Sequence, residues 1–260
     1  MSTGKLARRV GLARALSKLG YCSRSRACEL IRAGCVTLNG ARRRDPEAPV
    51  DLENDRIEVD GAAVTSRSKH HLMLNKPRGL VTSASDEKGR DTIYSCLSPH
   101  LPWLAPVGRL DKASEGLLLL TNDSEWAARV LDPHTHLDKT YHVQISSHAE
   151  PEMIRSLQQG VSTDAGFLRV RHARILRQGA RNTWLEIVLD EGKNRHIRRM
   201  LGALGIEVLR LVRVAIGPLV LGDLPKGASR ELTAEEKQAL DLAMGRGIPQ
   251  TRAETRAPRR

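Results

Sequence analysis

Four consecutive leucines, Leu117–Leu120, are the feature that most limits how this chain can fold. Gly116 and Thr121 bound the run, and its length and apolar character predict a strand buried inside a sheet. Such a strand needs further layers of structure packed against it. Residues 108–115, which precede it, are mostly polar. The sequence therefore predicts a polar loop that is anchored by a buried strand, an arrangement that can hold a side chain in fixed geometry.

Strands and helices alternate through the rest of this region. A strand is predicted from His71 and is broken by Pro77 and Gly79. The connections do not require an all-parallel sheet, so we predict an α+β fold with a mixed, largely antiparallel sheet flanked by helices. The other predicted elements are strands at Lys139–Ile145, Thr183–Leu189 and Val208–Val214, and helices from Asn122-Asp123-Ser124 through Val130, at Pro151–Gln159 and at Arg195–Leu204.

Residues 10–60 have a different pattern. Apolar residues between Leu12 and Leu19 recur at helical spacing, and Ser23 or Ser25 can cap a second helix that ends at Gly34. Alternating residues then predict two strands, with a tight turn at Asn39-Gly40. The predicted division of the chain is a basic arm at 1–9, a small αα–β domain at 10–60, a linker at 61–69, a second domain at 70–244 and a basic, disordered tail at 245–260.

Charge is concentrated at the two ends of this basic chain, whose formal net charge is +12. Residues 1–44 hold eleven Lys or Arg against the single Glu29, a charge of +10, and residues 245–260 hold five arginines against Glu254, a charge of +4. The residues between are therefore close to neutral. A nearly neutral body with basic ends is typical of nucleic-acid binders.

Several other classes of protein are disfavoured. No apolar run approaches the roughly 20 residues that a membrane-spanning helix needs, and no signal peptide follows Met1, so we expect a cytoplasmic protein without a membrane partner. The four cysteines form no Cys-x-x-Cys pair, so a metal site is not expected. Only seven residues are aromatic, so we expect an aliphatic core and no exposed aromatic platform for stacking on bases.

Two segments carry residues suited to chemistry. Arg109, Asp111 and Lys112 lie in the polar loop before the four leucines; from spacing alone, a catalytic loop and an ordinary loop with a turn-capping Asp are about equally favoured. Residues 190–200 place several cations at the start of a helix, where they oppose the helix dipole. A solvated helix face explains some of these cations, whereas phosphate groups or a carboxylate opposite them would explain all.

The same segments resemble a known family. Val107-Gly-Arg-Leu-Asp111, followed by Ser114 and Gly116–Asp123, is similar to the signature of bacterial ribosomal-RNA pseudouridine synthases of the small-subunit uridine synthase type. Residues 12–60 resemble the S-four-like RNA-binding domain that commonly precedes that catalytic domain. The resemblance continues in Asn75-Lys-Pro-Arg-Gly79, Lys139-Thr-Tyr-His-Val143 and Glu191-Gly-Lys-Asn-Arg-His-Ile-Arg-Arg-Met200.

The resemblance implies an enzyme that isomerises a uridine of ribosomal RNA to pseudouridine without a metal or an organic cofactor. It implies that Asp111 is the catalytic carboxylate, that Arg198 keeps it ionised, and that Tyr141 stacks on the uracil and serves proton transfer at carbon 5. His196 stands where the family usually has Gln, which puts any contact of that side chain with the base in doubt.

Ribosomal RNA, free or in an assembling ribosomal subunit, is the expected partner of a monomeric protein. Arg109 is expected to fill the space left by the flipped nucleotide or to hold its phosphate. All the cations expected to contact RNA are Lys18, Arg24, Arg26, Arg32, Arg42, Arg43, Arg44, Lys76, Arg109, Lys139, Lys193, Arg195 and Arg199.

Three alternatives remain at the level of sequence. A non-catalytic RNA-binding or ribosome-assembly factor would be expected to lack Asp111, Tyr141 or Arg198, and all three are present. A binder of double-stranded DNA would need a recognition helix or a zinc finger, and neither stands out. A synthase that acts on transfer RNA is the alternative within the enzyme class, although the S-four-like domain favours ribosomal RNA.

Overall fold

The structure is a computed structural model that describes residues 9–65, 68–84, 86, 88–164 and 166–245. The predicted basic arm, apart from Arg9, and the predicted tail beyond Gly245 lie outside the described residues. The chain divides into two compact units, of which the first is residues 1–127 with 223–232 and the second is residues 128–222 with 233–260.

Helices and strands alternate as an α+β fold. The helices are α1 (Leu12–Lys18), α2 (Arg24–Ala33), α3 (Ser124–Leu131), α4 (Pro151–Gln159), α5 (His196–Ala203) and α6 (Ala234–Gly245), with short 3-10 helices at Ile93–Cys96 and Pro133–Thr135. The strands are β1 (Val10–Gly11), β2 (Val36–Leu38), β3 (Ala41–Arg43), β4 (Pro49–Val50), β5 (Ile57–Val59), β6 (Ala62–Ala63), β7 (His71–Lys76), β8 (Ala105–Val107), β9 (Glu115–Thr121), β10 (Lys139–Ile145), β11 (Val161–Thr163), β12 (Gly166–Leu168), β13 (His172–Gln178), β14 (Thr183–Leu189), β15 (Val208–Ile216), β16 (Leu219–Val220) and β17 (Ser229–Glu231).

The first unit begins with the predicted αα–β arrangement. Leu12, Leu16 and Ile31 are fully buried and pack helices α1 and α2 on a sheet of order β3-β2-β5-β6. The Oγ atom of Ser23, rather than that of Ser25, accepts a 3.1 Å hydrogen bond from the backbone N–H of Arg26 and caps α2. Ser23 satisfies one of the donors that the first turn of a helix leaves without a partner.

The small sheet continues into the segment predicted as a linker. Ala62–Ala63 forms strand β6 and pairs with β5. The prediction of a linker from residue 61 was wrong at these two positions, because Asp60 and Gly61 have φ values of 50° and 80° and form a tight turn. An Asp-Gly pair favours a hairpin turn, as the Asn39-Gly40 pair does earlier in the chain.

The four leucines form the centre of the larger part of the first unit. Leu117–Leu120 are all 0% exposed on strand β9, which pairs antiparallel with β7 and β8. The chain returns at Ser229–Glu231 to add β17 to the other edge of β7. The strand predicted at Gly116–Thr121 is therefore confirmed, and its flanking strands pair with its backbone on both edges.

The second unit contains an antiparallel sheet of order β13-β14-β10-β15. Alternate residues of its strands, among them Val143, Leu185 and Leu211, are buried in a core that also contains Leu157 of α4 and Met200 of α5. The strands predicted at Lys139–Ile145 and Thr183–Leu189 and the helix predicted at Pro151–Gln159 have the predicted bounds. The predicted α+β class with a mixed, largely antiparallel sheet is confirmed.

Several elements of the second unit were not predicted: strand β13, the β11–β12 hairpin, strand β16, helix α6 and the 3-10 helix at Pro133–Thr135. Strand β13 lies at the end of the strand order, and most of its side chains are exposed. Its register with β14 shifts between Ile175 and Arg177. An extra residue at this point interrupts the period of two by which a half-buried strand is recognised.

We expect Ser23→Ala to lower the free energy of unfolding by about 1 kcal/mol, because α2 loses its side-chain cap. Ser25→Ala is the matched control: its side chain is exposed within the helix, and its removal should change stability by less than about 0.5 kcal/mol. Urea denaturation followed by circular dichroism measures both. Equal effects of the two substitutions would contradict the assignment of the cap.

Candidate active site

A fully buried lysine organises the loop that carries Asp111. The Nζ atom of Lys76, at the end of β7, donates hydrogen bonds to the backbone carbonyl oxygens of Asp111 and Pro77 at 3.2 Å and of Ser114 at 3.0 Å. An ammonium group has three N–H donors, so each of them has an acceptor. Two of the three acceptors belong to the Asp111 loop, which Lys76 therefore fixes to the sheet.

Further hydrogen bonds hold both ends of this loop. The hydroxyl of Thr82 donates to the carbonyl oxygen of Leu110 at 2.7 Å, and the backbone N–H of Gly79 donates to the carbonyl oxygen of Lys112 at 2.8 Å. Leu110 is buried immediately before Asp111, whereas Asp111 itself is only half-buried. The loop thus presents the Asp111 carboxylate from a backbone that has little freedom to move.

The burial of Lys76 corrects its predicted role as an RNA contact, because a side chain with no exposed surface cannot reach a phosphate. Burial lowers the pKa of Lys76 from 10.5 to about 8, and the negative charges of Asp111 and Glu115 oppose this shift. Glu115 is itself buried and pairs with the Nζ atom of Lys226 at 2.5 Å. Lys76 is therefore a positioning residue for the loop.

Tyr141 lies in the second unit, on strand β10. It is half-buried at the edge of the core, opposite Ile187 on β14 and Arg213 on β15. Arg213 is buried and lies near Lys139, whose pKa is lowered by burial and then by the charge of Arg213. Arg213 is not among the site residues predicted from the sequence. The feature that could have pointed to it is an arginine inside the strand predicted at Val208–Val214.

Arg198 lies on α5, in the same unit as Tyr141. It is half-buried, and its Nη1 atom donates a hydrogen bond of 3.2 Å to the carbonyl oxygen of Val208. His196, at the start of the same helix, is 3% exposed, and burial lowers its pKa, whereas the charge of Glu191 and the backbone of Arg169 raise it. The side chain of His196 therefore lies inside the protein rather than on its surface.

The other cations of this region are more accessible. Lys193 and Arg195 are exposed, and Lys193 pairs with Glu191 at 2.9 Å. Arg195 has a φ of 53°, so the chain turns sharply where α5 begins. Arg199 is partly exposed, with its Nε atom 3.9 Å from the Asp164 carboxylate. Arg109, in the first unit next to Asp111, is exposed.

A basic surface covers the end of α2 in the first unit. The side chains of Arg42 and Arg44 pass so close to Gly34 that a Cβ atom there would lie 3.3 Å from Cδ of Arg42 and 3.5 Å from Nε of Arg44. Cations near the carboxyl end of a helix are stabilised by its dipole. The arginines that are exposed on this part of the chain are Arg24, Arg26, Arg32, Arg42, Arg43 and Arg44.

Lys18, a predicted RNA contact, forms a surface ion pair. Its Nζ atom is 3.1 Å from the Glu125 carboxylate, and its side chain is 23% exposed. Gly20, just after α1, lies against the side chain of Asn122, where a Cβ atom would be 3.1 Å from Nδ2. Lys18 is therefore paired with a residue that follows β9, and its contact with RNA stays a prediction.

Two kinds of feature are absent from the described residues. Over the described ranges, no three His, Cys, Asp or Glu side chains are arranged to hold a metal ion. Within the same part of the chain, no helix combines the length and apolar character that crossing a membrane requires.

We expect Lys76→Met to change how stability depends on pH. The pKa of Lys76 is lower in the folded protein than in the unfolded chain, so the unfolded chain binds more protons between the two pKa values and stability rises with pH there. Relative to K76M, the wild-type protein should gain about 2 kcal/mol between about pH 7.5 and about pH 9.5. Urea titrations at the two pH values measure this difference, and parallel pH profiles would contradict it.

Known proteins resemble the chain over most of its length. The family model described as RNA pseudouridylate synthase matches residues 70–203, and the S4 domain model matches residues 10–57. An Aquifex aeolicus protein named as an uncharacterized RNA pseudouridine synthase is 39% identical over 88% of this chain and 93% of its own length. Ribosomal large subunit pseudouridine synthase B of Bacillus subtilis is 34% identical over 88% of this chain and 94% of its own.

One solved structure supports the same assignment. A crystal structure of a pseudouridylate synthase matches the fold with a TM-score of 0.63 and 30% identity, covering 89% of this chain and 99% of that one. The sequence resemblance is thus confirmed by the family models, by relatives that are matched almost end to end and by the fold. The chain belongs to the RNA pseudouridine synthases, isomerases that act on uridine in RNA, and it carries an S4 domain on the amino-terminal side of its catalytic domain.

Proposed function

We propose that this protein isomerises a uridine of ribosomal RNA and that Asp111 is its catalytic carboxylate. In the reaction the bond between N1 of uracil and C1′ of ribose breaks, and a bond between C5 and C1′ forms. C5 loses its proton and N1 gains one, so atoms and electrons balance without a redox partner. The proposal leaves open whether the carboxylate attacks the sugar or the base.

The observation that carries this proposal is the Asp111 loop and its attachment to Lys76. Catalysis by a carboxylate requires that its oxygen atoms stay within a fraction of an ångström of the productive position. Hydrogen bonds from Lys76 to the loop backbone, together with the buried Leu110, support that requirement. These bonds use backbone oxygen atoms of the loop and do not engage the carboxylate of Asp111.

A uracil bound in the site would cover the Asp111 carboxylate and displace the water that stabilises its negative charge. A neighbouring cation would compensate for this loss. We assign this role to Arg198, and we assign stacking on the uracil and proton transfer at C5 to Tyr141, as the family resemblance implies. The buried Arg213 opposite Tyr141 is a candidate to position it.

RNA binding is assigned to the exposed cations. C1′ of a nucleotide inside a helix is out of reach, so the target must leave the stack, at a cost of a few kcal/mol in a duplex. We propose that Arg109, exposed beside Asp111, occupies the vacated space or holds a phosphate. Further phosphate contacts are proposed for Arg24, Arg26, Arg32, Arg42, Arg43, Arg44, Lys139, Lys193, Arg195 and Arg199.

Ribosomal RNA is the proposed substrate class. The S4 domain and the name of the Bacillus relative, which specifies the large ribosomal subunit, support it. We propose that the protein acts as a monomer in the cytoplasm, on free ribosomal RNA or on an assembling large subunit. The experiment that tests this maps pseudouridines in ribosomal and transfer RNA from cells with and without the protein; a lost site in transfer RNA alone would contradict it.

Asp111→Asn should lower pseudouridine formation by at least about 1,000-fold, because the amide can act neither as nucleophile nor as base. RNA affinity should change by less than about threefold, since the substitution adds no volume and removes a negative charge. Tritium release from RNA labelled at C5 of uridine measures turnover. Asp223→Asn, at an exposed position of the same unit, is the matched control, and ordinary turnover by D111N would refute the assignment.

The double substitution Arg42→Gln and Arg44→Gln should weaken RNA binding and reduce its salt dependence. Loss of two phosphate contacts should make the slope of log affinity against log salt shallower by about 1.5. Arg56→Gln is the matched control, because Arg56 is exposed on the same domain but pairs with Glu58 at 2.7 Å. Affinity measured at several salt concentrations distinguishes the variants, and an unchanged slope would remove this surface from the RNA interface.

A further inference from the structure

Phe167 is an exposed aromatic side chain in a protein whose aromatics were expected to leave no platform for stacking. It is 61% exposed, the largest exposed fraction among the big apolar residues of the described chain. It lies on β12 of the β11–β12 hairpin, where its neighbour Leu168 is 1% exposed. Because side chains alternate along a strand, Phe167 and Arg169 both project away from the core.

The ring of Phe167 packs closely against the backbone at Gly160. A Cβ atom at Gly160, the residue after α4, would collide with the ring of Phe167. Only a residue without a side chain allows the ring to lie this close to the backbone. The contact restrains the ring from one side, while most of its surface remains open to solvent.

Two arginines lie on the segments next to this ring. Arg169 is exposed two residues further along the chain, just after β12. Helix α5 packs against β11, and Arg199 of that helix lies 3.9 Å from Asp164, at the turn of the hairpin. The backbone of Arg169 also lies close enough to His196, at the start of α5, to affect its pKa. The hairpin and the cationic start of α5 thus form one surface.

We propose that Phe167 is a stacking platform for an unpaired base of the RNA substrate, next to the nucleotide segment whose phosphates contact Arg169 and Arg199. A base presents an apolar face beside a negative phosphate, which matches an open ring on a surface that also carries arginine side chains. A protein partner would need a broader apolar surface than a single ring offers. The inference rests on the proposed function, because it requires the RNA substrate to pass over the second unit.

The test measures RNA affinity for substitutions at Phe167 in the full-length protein. The probe is a transcript of the large-subunit ribosomal RNA, and D111N serves as the background so that binding is measured without turnover. Phe167→Ala and Phe167→Leu should each weaken binding about tenfold, whereas Phe167→Trp should stay within about twofold, because stacking needs an aromatic face and not merely an apolar side chain. Val220→Ala, at a position 60% exposed, should leave the affinity unchanged.

Two further measurements make the outcome specific. A perfect RNA duplex offers no unpaired base, so F167A should bind it as the unsubstituted protein does. In the active protein the substitution should raise KM about tenfold and move kcat by less than about twofold, since the ring does not touch the reacting atoms. Thermal unfolding of each variant checks that the fold is retained.

Several outcomes would overturn the inference. Equal transcript affinities of F167A and the unsubstituted protein would do so, as would full affinity in F167L. Unchanged RNA affinity with an altered mass in sedimentation would assign the ring to a protein contact instead. If the wild-type protein forms pseudouridine in ribosomal RNA while F167A binds normally, only this inference fails; if the wild-type protein forms none, the proposed function fails.

Discussion

The ammonium group of Lys76 is the interaction on which the candidate site depends. A charged amine with no exposed surface is unfavourable unless each of its donors has an acceptor. Here the three donors bond to three backbone carbonyl oxygens, two of which belong to the Asp111 loop. The carbonyl oxygens of the loop stabilise the buried charge of Lys76, and Lys76 in turn holds the loop in place. The lowered pKa of Lys76 reflects the remaining cost of its burial.

Strand β9 explains why this arrangement is possible. Its four leucines are fully buried, so the residues just before them must leave the core at one defined point. Asp111 lies at that exit, between the buried Leu110 and the Ser114 carbonyl that Lys76 holds. The candidate site depends on buried residues, whereas RNA binding requires cations that are exposed at the surface. The arginines of the S4 domain meet this requirement on the surface of a small domain that has a hydrophobic core of its own.

Positive charge alone did not predict which cations are exposed at the surface. Arg42 and Arg44 are exposed as expected, whereas Lys76 is buried and Lys18 pairs with Glu125. In each case the deciding factor is a partner far along the chain, at a sequence separation of 35 to 107 residues. Phe167 shows the same dependence on tertiary structure, because this aromatic side chain is exposed on a hairpin that the sequence pattern did not predict.

The sequence by itself determined the regular elements with strong periodicity, the Ser and Gly signals at the ends of α2, and the ordered motifs that identify the family. These features depend on neighbours within a few residues, so local spacing is enough to predict them. Only the tertiary structure decided that Ser23 rather than Ser25 caps α2, that β13 forms an edge strand, and that Lys76 anchors the Asp111 loop. Those outcomes depend on the burial and hydrogen-bond partners that distant segments provide, and one-dimensional spacing carries no record of them.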